Sequence, residues 1–226
     1  MNCHSEATED DHHHHDHGHG HNHDHSHDDE AITGLSDSLF SKVHLDRVWC
    51  LNSSNSESVQ KVFKPWDQRR DTEKFVETPD GDDPELLIHV PFTGMIKLKS
   101  IFIWGGPSVD PSPTRVRVFA NRDDLDFESV GDAQPTQELE LARGAVTEPL
   151  EYAVRQAKFS NVRCLTLHFP ENFSDGDEPT RVYFLAFRGE WMDVKETPVV
   201  AIYELKPNAA DHKTRAGDLM GHHSVS

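Results

Sequence analysis

Six runs of this chain alternate apolar and polar side chains with period two, the spacing of a strand that buries one face. They are Leu86–Val90, Ile96–Trp104, Thr114–Ala120, Arg163–Phe169, Arg181–Arg188 and Pro198–Glu204. Within KLKSIFIW (97–104), Leu98 and Ile101 bracket a switch from alternating to nearly continuous apolar sequence, as expected where a strand enters a core. Turn-forming segments lie between the runs: PDGDDP (79–84), GGP (105–107), DPSP (110–113) and SDGD (174–177). Long helical periodicity is absent, and only Ala31–Val48 and Thr72–Glu77 leave room for short helical turns. Many strands with long irregular connections, and no alternating helices, predict an all-β chain. The expected form is an antiparallel β-sandwich of jelly-roll type.

Composition divides the chain in three. Eleven of the 17 histidines fall between His4 and His27, interleaved with aspartates, and no lysine or arginine precedes Lys42. Residues 1–30 hold almost no apolar side chains to offset the entropy of ordering, so they are expected to be a disordered His/Asp-rich tail. Its imidazoles are candidate ligands for zinc, nickel or copper: His12, His13, His14, His15, His17, His19, His21, His23, His25 and His27. Metal bound there would be adventitious or regulatory, and no cofactor is required. Residues 31–205 read as the globular domain, and residues 206–226 as a polar, mobile C-terminal segment.

Charge narrows the partners. The formal net charge of −18 repels nucleic-acid backbone and anionic lipid, so neither nucleic acid nor membrane is expected as a partner. Mild acidification would titrate the tail histidines near pH 6.5 and bring that segment towards neutrality. No apolar run has signal-peptide or membrane-span length, and Cys3, Cys50 and Cys164 show no C-x-x-C spacing. The expected compartment is the cytoplasm, with nuclear access for so small a protein. Without a secretory signal, the glycosylation patterns at Asn52 and Asn172 read as chance matches.

Catalytic motifs are missing: there is no phosphate-cradling loop, no Gly-x-Ser-x-Gly elbow and no His-Glu-x-x-His. The globular part holds only His44, His89 and His168, and the latter two, lying in strand runs, read as structural or surface residues. Asp82-Asp83 and Asp123-Asp124 read as solvated turn residues, and Cys50 and Cys164 as inert core thiols. An enzyme is not expected.

The informative segments are aromatic and polar clusters around the loops: DRVWCLN (46–52), FKPW (63–66), PFTG (91–94), FANR (119–122), LDF (125–127), KFSNV (158–162) and RGEW (188–191). Their order and spacing resemble the PITH domain, the C-terminal proteasome-interacting domain of thioredoxin-like proteins, from about residue 35 to residue 205. The likeness is closer to stand-alone PITH domain-containing proteins, which also begin with a histidine-rich tail, carry VFKPW and end a few residues after a histidine. This resemblance implies a galactose-binding-like jelly roll. It also implies a non-catalytic interaction module that associates with the proteasome regulatory particle as an adaptor or regulator. The chain has no thioredoxin domain and no C-x-x-C pair, so reductase activity does not carry over.

Within those segments, Trp66 and Trp191 are candidate partner anchors, against the alternative of packing at the rim of the sandwich. Arg188 and Glu190 flank Gly189 and offer polar contacts or an internal ion pair. Phe63 and Phe75 bracket the charged stretch Lys64–Lys74, a crossover pinned to the sheet that presents Arg69 and Arg70 to an acidic partner. His222 and His223, on the C-terminal segment, could approach the zinc of a metal-dependent deubiquitinase in the proteasome lid. Two alternative functions stand beside docking: metal buffering through the tail, and binding of a carbohydrate or other small ligand at the rim of the sandwich.

Overall fold

The computed structural model describes residues 35–81 and 83–192. The ten tail histidines named above, His222, His223 and the run Pro198–Glu204 lie outside the described residues. Among these residues there are nine strands: β1 (Trp49–Leu51), β2 (Val76–Glu77), β3 (Leu86–Trp104), β4 (Arg115–Ala120), β5 (Gln137–Glu140), β6 (Leu150–Ala153), β7 (Val162–Phe169), β8 (Arg181–Val182) and β9 (Phe184–Met192). Every pairing is antiparallel. The fold is the expected galactose-binding-like jelly-roll sandwich.

Strand β3 organises it. Its first half, Leu86–Pro91, pairs with β1 on one side and β7 on the other, and β7 continues to β4 and β4 to β5. Its second half pairs with β9 and β6. The two runs Leu86–Val90 and Ile96–Trp104 are therefore one strand of 19 residues shared by both layers. A register shift between Pro91 and Ile96 marks the passage from one layer to the other.

A second shift explains the switch in KLKSIFIW. Leu98 pairs with Gly189 and Ser100 with Arg188, so Lys99 is an extra residue on β3, a β-bulge. The bulge inverts the alternation: Ile96 and Leu98 face the core before it, Ile101 and Ile103 after it. Gly189 sits opposite, where a Cβ would come within 2.3 Å of the Lys97 carbonyl oxygen. Glycine is required there by the close approach of two backbones.

Between the layers, Ile88, Val118, Leu167, Phe169, Leu185 and Phe187 are at most 1 % exposed and belong to one continuous core. Each such side chain stabilises the fold by roughly 1.5–3 kcal/mol. Both outer faces are partly covered as well. Leu87, Phe119, Leu125 and Val130 pack beneath Trp49 and Phe127 on the first layer, and Phe102, Trp104, Tyr183 and Phe184 pack beneath Leu35, Trp66 and Phe75 on the second.

The local elements depart from expectation in three places. Thr72–Glu77 holds no helical turn; Val76 and Glu77 form β2 and pair with β8, because Val76 completes the core. The run Arg181–Arg188 is broken at Tyr183, whose ring turns to the outer-face aromatic cluster. A short helix α1 (Phe127–Val130) follows FANR. It is nucleated by a capping box in which the Ser129 N–H donates to Asp126 and the Asp126 N–H donates to Ser129 Oγ. Arg117 donates to the carbonyls of Val130 and Ala133 at 2.9 and 2.7 Å, tying α1 to the sheet.

Candidate functional site

The second layer presents a face on which aromatic packing grades into charge. Phe102 and Phe184 form its apolar part, and Glu151 and Arg188, with Ser100 buried beneath them, continue it as polar surface. The crossover 63–75 lies over the apolar part, fixed at both ends. Phe63 stacks on Phe187 of the inner core at 6.2 Å, and Phe75 packs on Tyr183 at 4.8 Å. Pro65, extended at ψ 153, leads into a 3-10 turn at Trp66–Gln68. That turn sets Trp66 edge-on against Phe102, at 5.0 Å between centroids, and against Phe184 at 6.1 Å.

Lys64 closes the crossover. Its side chain is 4 % exposed, and its ammonium donates to the carbonyls of Asp71 at 2.8 Å and Lys74 at 2.7 Å. The Asp71 carboxylate lies at 3.5 Å. Burial pulls the Lys64 pKa down, while the charge and hydrogen bond of Asp71 work against that shift. The loop is thus wrapped around a positive charge satisfied by its own backbone. This residue was missed as a functional candidate, although its placement between Phe63 and Trp66 in FKPW was a signal.

The candidate residues take different positions. Arg69 stacks over Trp66 at 4.7 Å, donates to the Trp66 carbonyl at 3.1 Å and lies 3.7 Å from Glu148. Arg70, 60 % exposed, pairs with Glu148 at 2.9 Å. Arg70 is exposed, Arg69 is largely covered by its stack on Trp66, and neither is uncompensated. Glu148 is held below the usual carboxylate range chiefly by its hydrogen bond from Arg70.

Arg188 and Glu190 do not pair with each other. Arg188 meets Glu151 at 3.0 Å, and Ser100 Oγ donates to the same carboxylate at 2.6 Å. Glu190 meets Lys99 at 3.1 Å and Lys97 at 3.6 Å, and Lys99 also meets Asp37 at 2.9 Å. Trp191 falls in the opposite register of β9, half-exposed, with Lys42 at 4.7 Å from its ring. The structure brings Trp66, Arg69 and Arg70 together on one loop, over the sheet that carries Arg188. Trp191 is not part of that group.

The other titratable candidates are structural. His89 is buried, stacked on Trp49 at 4.9 Å, with Nδ1 3.0 Å from Thr166 Oγ1. Burial lowers its pKa, opposed by Asp123. His168 is 1 % exposed, and neither ring nitrogen has a hydrogen-bond partner. Burial pushes the Cys50 thiol up to about 12. Asn172 is 1 % exposed and donates both to the Glu178 carbonyl and to Thr180, while its oxygen accepts from Ser174 and Gly176. Asn52 donates to the carbonyls of Asp83 and Glu85. Both asparagine side chains are committed inside the fold. Among the described residues, no group of three or more His, Cys, Asp and Glu is placed to hold a metal ion.

Comparison with known proteins places this architecture in context. The PITH domain family model matches residues 29–207. A PITH domain-containing protein of Drosophila melanogaster is 43 % identical over 189 residues, covering 83 % of this chain and 86 % of the relative. The human PITH domain-containing protein 1 is 40 % identical over 181 residues, covering 80 % and 82 %. Among solved structures, the CBM32-1 and CBM32-2 domains of Clostridium perfringens ZmpB in complex with GalNAc superpose with a TM-score of 0.51 at 12 % identity. That match covers 72 % of this chain and 38 % of the other, and it is a likeness of fold alone.

Proposed function

Because the chain belongs to the PITH domain family, we propose that it is a non-catalytic interaction module that docks on the proteasome regulatory particle as an adaptor or regulator. The supporting observation is the crossover closed by Lys64, which holds Trp66, Arg69 and Arg70 over the outer face. Tryptophan and arginine dominate interface hot spots, and a loop ordered before binding avoids the entropy cost of ordering it afterwards. The Arg70–Glu148 pair is an exposed surface contact screened by solvent, so exchanging Glu148 for a partner carboxylate costs little. The reading needs no cofactor and places the protein in the cytoplasm with access to the nucleus. His222 and His223 are proposed as further partner contacts; tail metal, where bound, is regulatory.

Affinity purification of the full chain, with regulatory-particle subunits quantified by mass spectrometry, tests the proposal. Arg69→Glu with Arg70→Glu is expected to lower subunit recovery at least tenfold while the domain stays folded, with Arg70→Glu alone, which leaves the Arg69–Trp66 stack intact, lowering it severalfold. Deleting residues 217–226 tests the terminal histidines in the same assay. Absence of proteasome subunits from the unmodified chain's eluate sinks the reading.

The sandwich likeness to domains solved with GalNAc supports a second reading, a small-ligand or carbohydrate-binding module. It predicts a saturable rise in melting temperature with one member of a sugar panel.

A further inference from the structure

A cleft of about 300 Å³ opens at the C-terminal end of the crossover, away from Trp66, Arg69 and Arg70; it shares with the docking loop Lys74, whose carbonyl accepts from Lys64, and Phe75. One wall is the end of the crossover and β2, bringing Glu73, Lys74, Phe75 and Glu77; the other brings Ser54 and Lys61. The Ser54 N–H donates to the Glu77 carbonyl at 3.0 Å and joins the walls. Phe75 is half-buried: it packs on Tyr183 and lies beside the Arg181 guanidinium at 5.7 Å, and the cleft takes its remaining exposure.

The charge of this cleft runs against that of the chain. Net charge overall is −18. Around the cleft, however, Lys61, Lys74 and Arg181 stand with Glu73 and Glu77, Asp71 acts on Lys74 and Glu178 on Arg181 from outside the lining, and Glu77 is already engaged by Arg181 at 2.8 Å. Most other surface cations of the second layer, including Arg70, Lys97, Lys99 and Arg188, are in salt bridges. Lys61 and Lys74 form none among the described residues. Two ammonium groups outside any salt bridge among the described residues, one carboxylate and a phenyl wall favour a ligand that combines negative charge with an apolar side chain. A neutral sugar would leave both ammonium groups unused.

We propose that this cleft binds an acidic linear peptide of a partner protein, with carboxylates at Lys61 and Lys74 and a neighbouring apolar side chain on Phe75. The site uses none of Trp66, Arg69 and Arg70, although it adjoins the crossover at Lys74 and Phe75, and it does not depend on proteasome association.

The test is fluorescence polarisation of the full chain with a labelled peptide of three acidic residues followed by leucine. Its control is the same peptide with the acids replaced by their amides. Expected are saturable binding of the acidic peptide alone, weakening with salt, and at least a tenfold loss in Lys61→Glu with Lys74→Glu. Phe75→Leu, which keeps an apolar side chain against Tyr183, should weaken binding severalfold without unfolding the domain. Tighter binding after neutralising Asp28, Asp29 and Glu30 would show the chain's own acidic stretch competing for the cleft and would support the assignment. Equal binding of the amide peptide, indifference to both lysine reversals, or displacement of the peptide by N-acetylgalactosamine would overturn it. Loss of peptide binding in the lysine variant with unchanged proteasome recovery separates this site from the docking face.

Discussion

Acidification should destabilise this domain through its buried imidazoles, and replacing His168 should remove the part that this residue contributes. His168 lies on β7 in a cross-strand row, between Leu87 of β3 and Arg117 of β4. Its side chain is 2 % exposed, and Glu85 approaches Nε2 only to 3.5 Å. Burial, then the charges of Arg117 and Arg115, lower its pKa from 6.5 to about 4, against a smaller opposing effect of Asp83. The folded state therefore binds this proton less readily than the unfolded chain does. Above pH 6.5 the group is neutral in both states and contributes nothing. As pH falls from 6.5 towards 4 the unfolded chain takes up the proton and the folded one does not, so stability is lost. At about 1.4 kcal/mol per pH unit the total is about 3 kcal/mol, complete once pH is below the folded value. His89 shifts in the same direction, and the Glu85 carboxyl is raised by burial and by Asp83, but both are common to wild type and variant. Urea unfolding of wild type and His168→Leu between pH 7.5 and 4 isolates the difference, with His168→Gln as a polar check. Over that range the variant's advantage should grow by about 3 kcal/mol. Parallel stability curves, or an imidazole resonance of folded His168 that titrates near pH 6.5, would refute the reasoning.

Three further outcomes follow from contacts described above. Lys64→Met keeps the buried stem but strands two carbonyls and leaves Asp71, which solvent reaches, without its partner; it should cost roughly 1–3 kcal/mol, read as a lower urea midpoint, and admit protease within residues 64–74. Gly189→Ala forces a methyl group against the Lys97 carbonyl and should destabilise by roughly 1–3 kcal/mol in the same assay, whereas Ala186→Gly should cost less than Gly189→Ala if close backbone approach is the cause. Cys50, whose thiol is pushed up to about 12, should remain unmodified by iodoacetamide at pH 8 in the native protein and react in urea, as peptide mass spectrometry would show.

The long strands were legible because one face of each enters a deep core, and burial imposes period two. Strands β5 and β6 were not, since residues such as Glu138, Glu140 and Glu151 are exposed and leave only a weak alternation. The bulge at Lys99 was visible as a change of pattern in KLKSIFIW, but its meaning depends on β9, which lies some ninety residues onward in the chain. Similarly, FKPW indicated a packed crossover, while the compensation of Arg70 by Glu148 spans 78 residues and leaves no local trace. Charge in a sequence shows which residues are available for pairing. Only the fold determines which of them stay outside salt bridges, as with Lys61 and Lys74 among the described residues.

Strand β3 also governs how this sandwich can come apart. With the two layers sharing one continuous strand, neither can detach while leaving the other intact, so the domain has no internal seam along which to open. Partial opening is confined to the periphery, at β1, β5 and the small β2–β8 ribbon. Amide hydrogens along the middle of β3 and β7 should exchange only through global unfolding, whereas those of the periphery exchange by local fluctuation. A load placed on the crossover would reach Phe187 through Phe63, and from β9 it would pass directly into β3. The domain is therefore built to resist pulling as one cooperative body and to yield all at once.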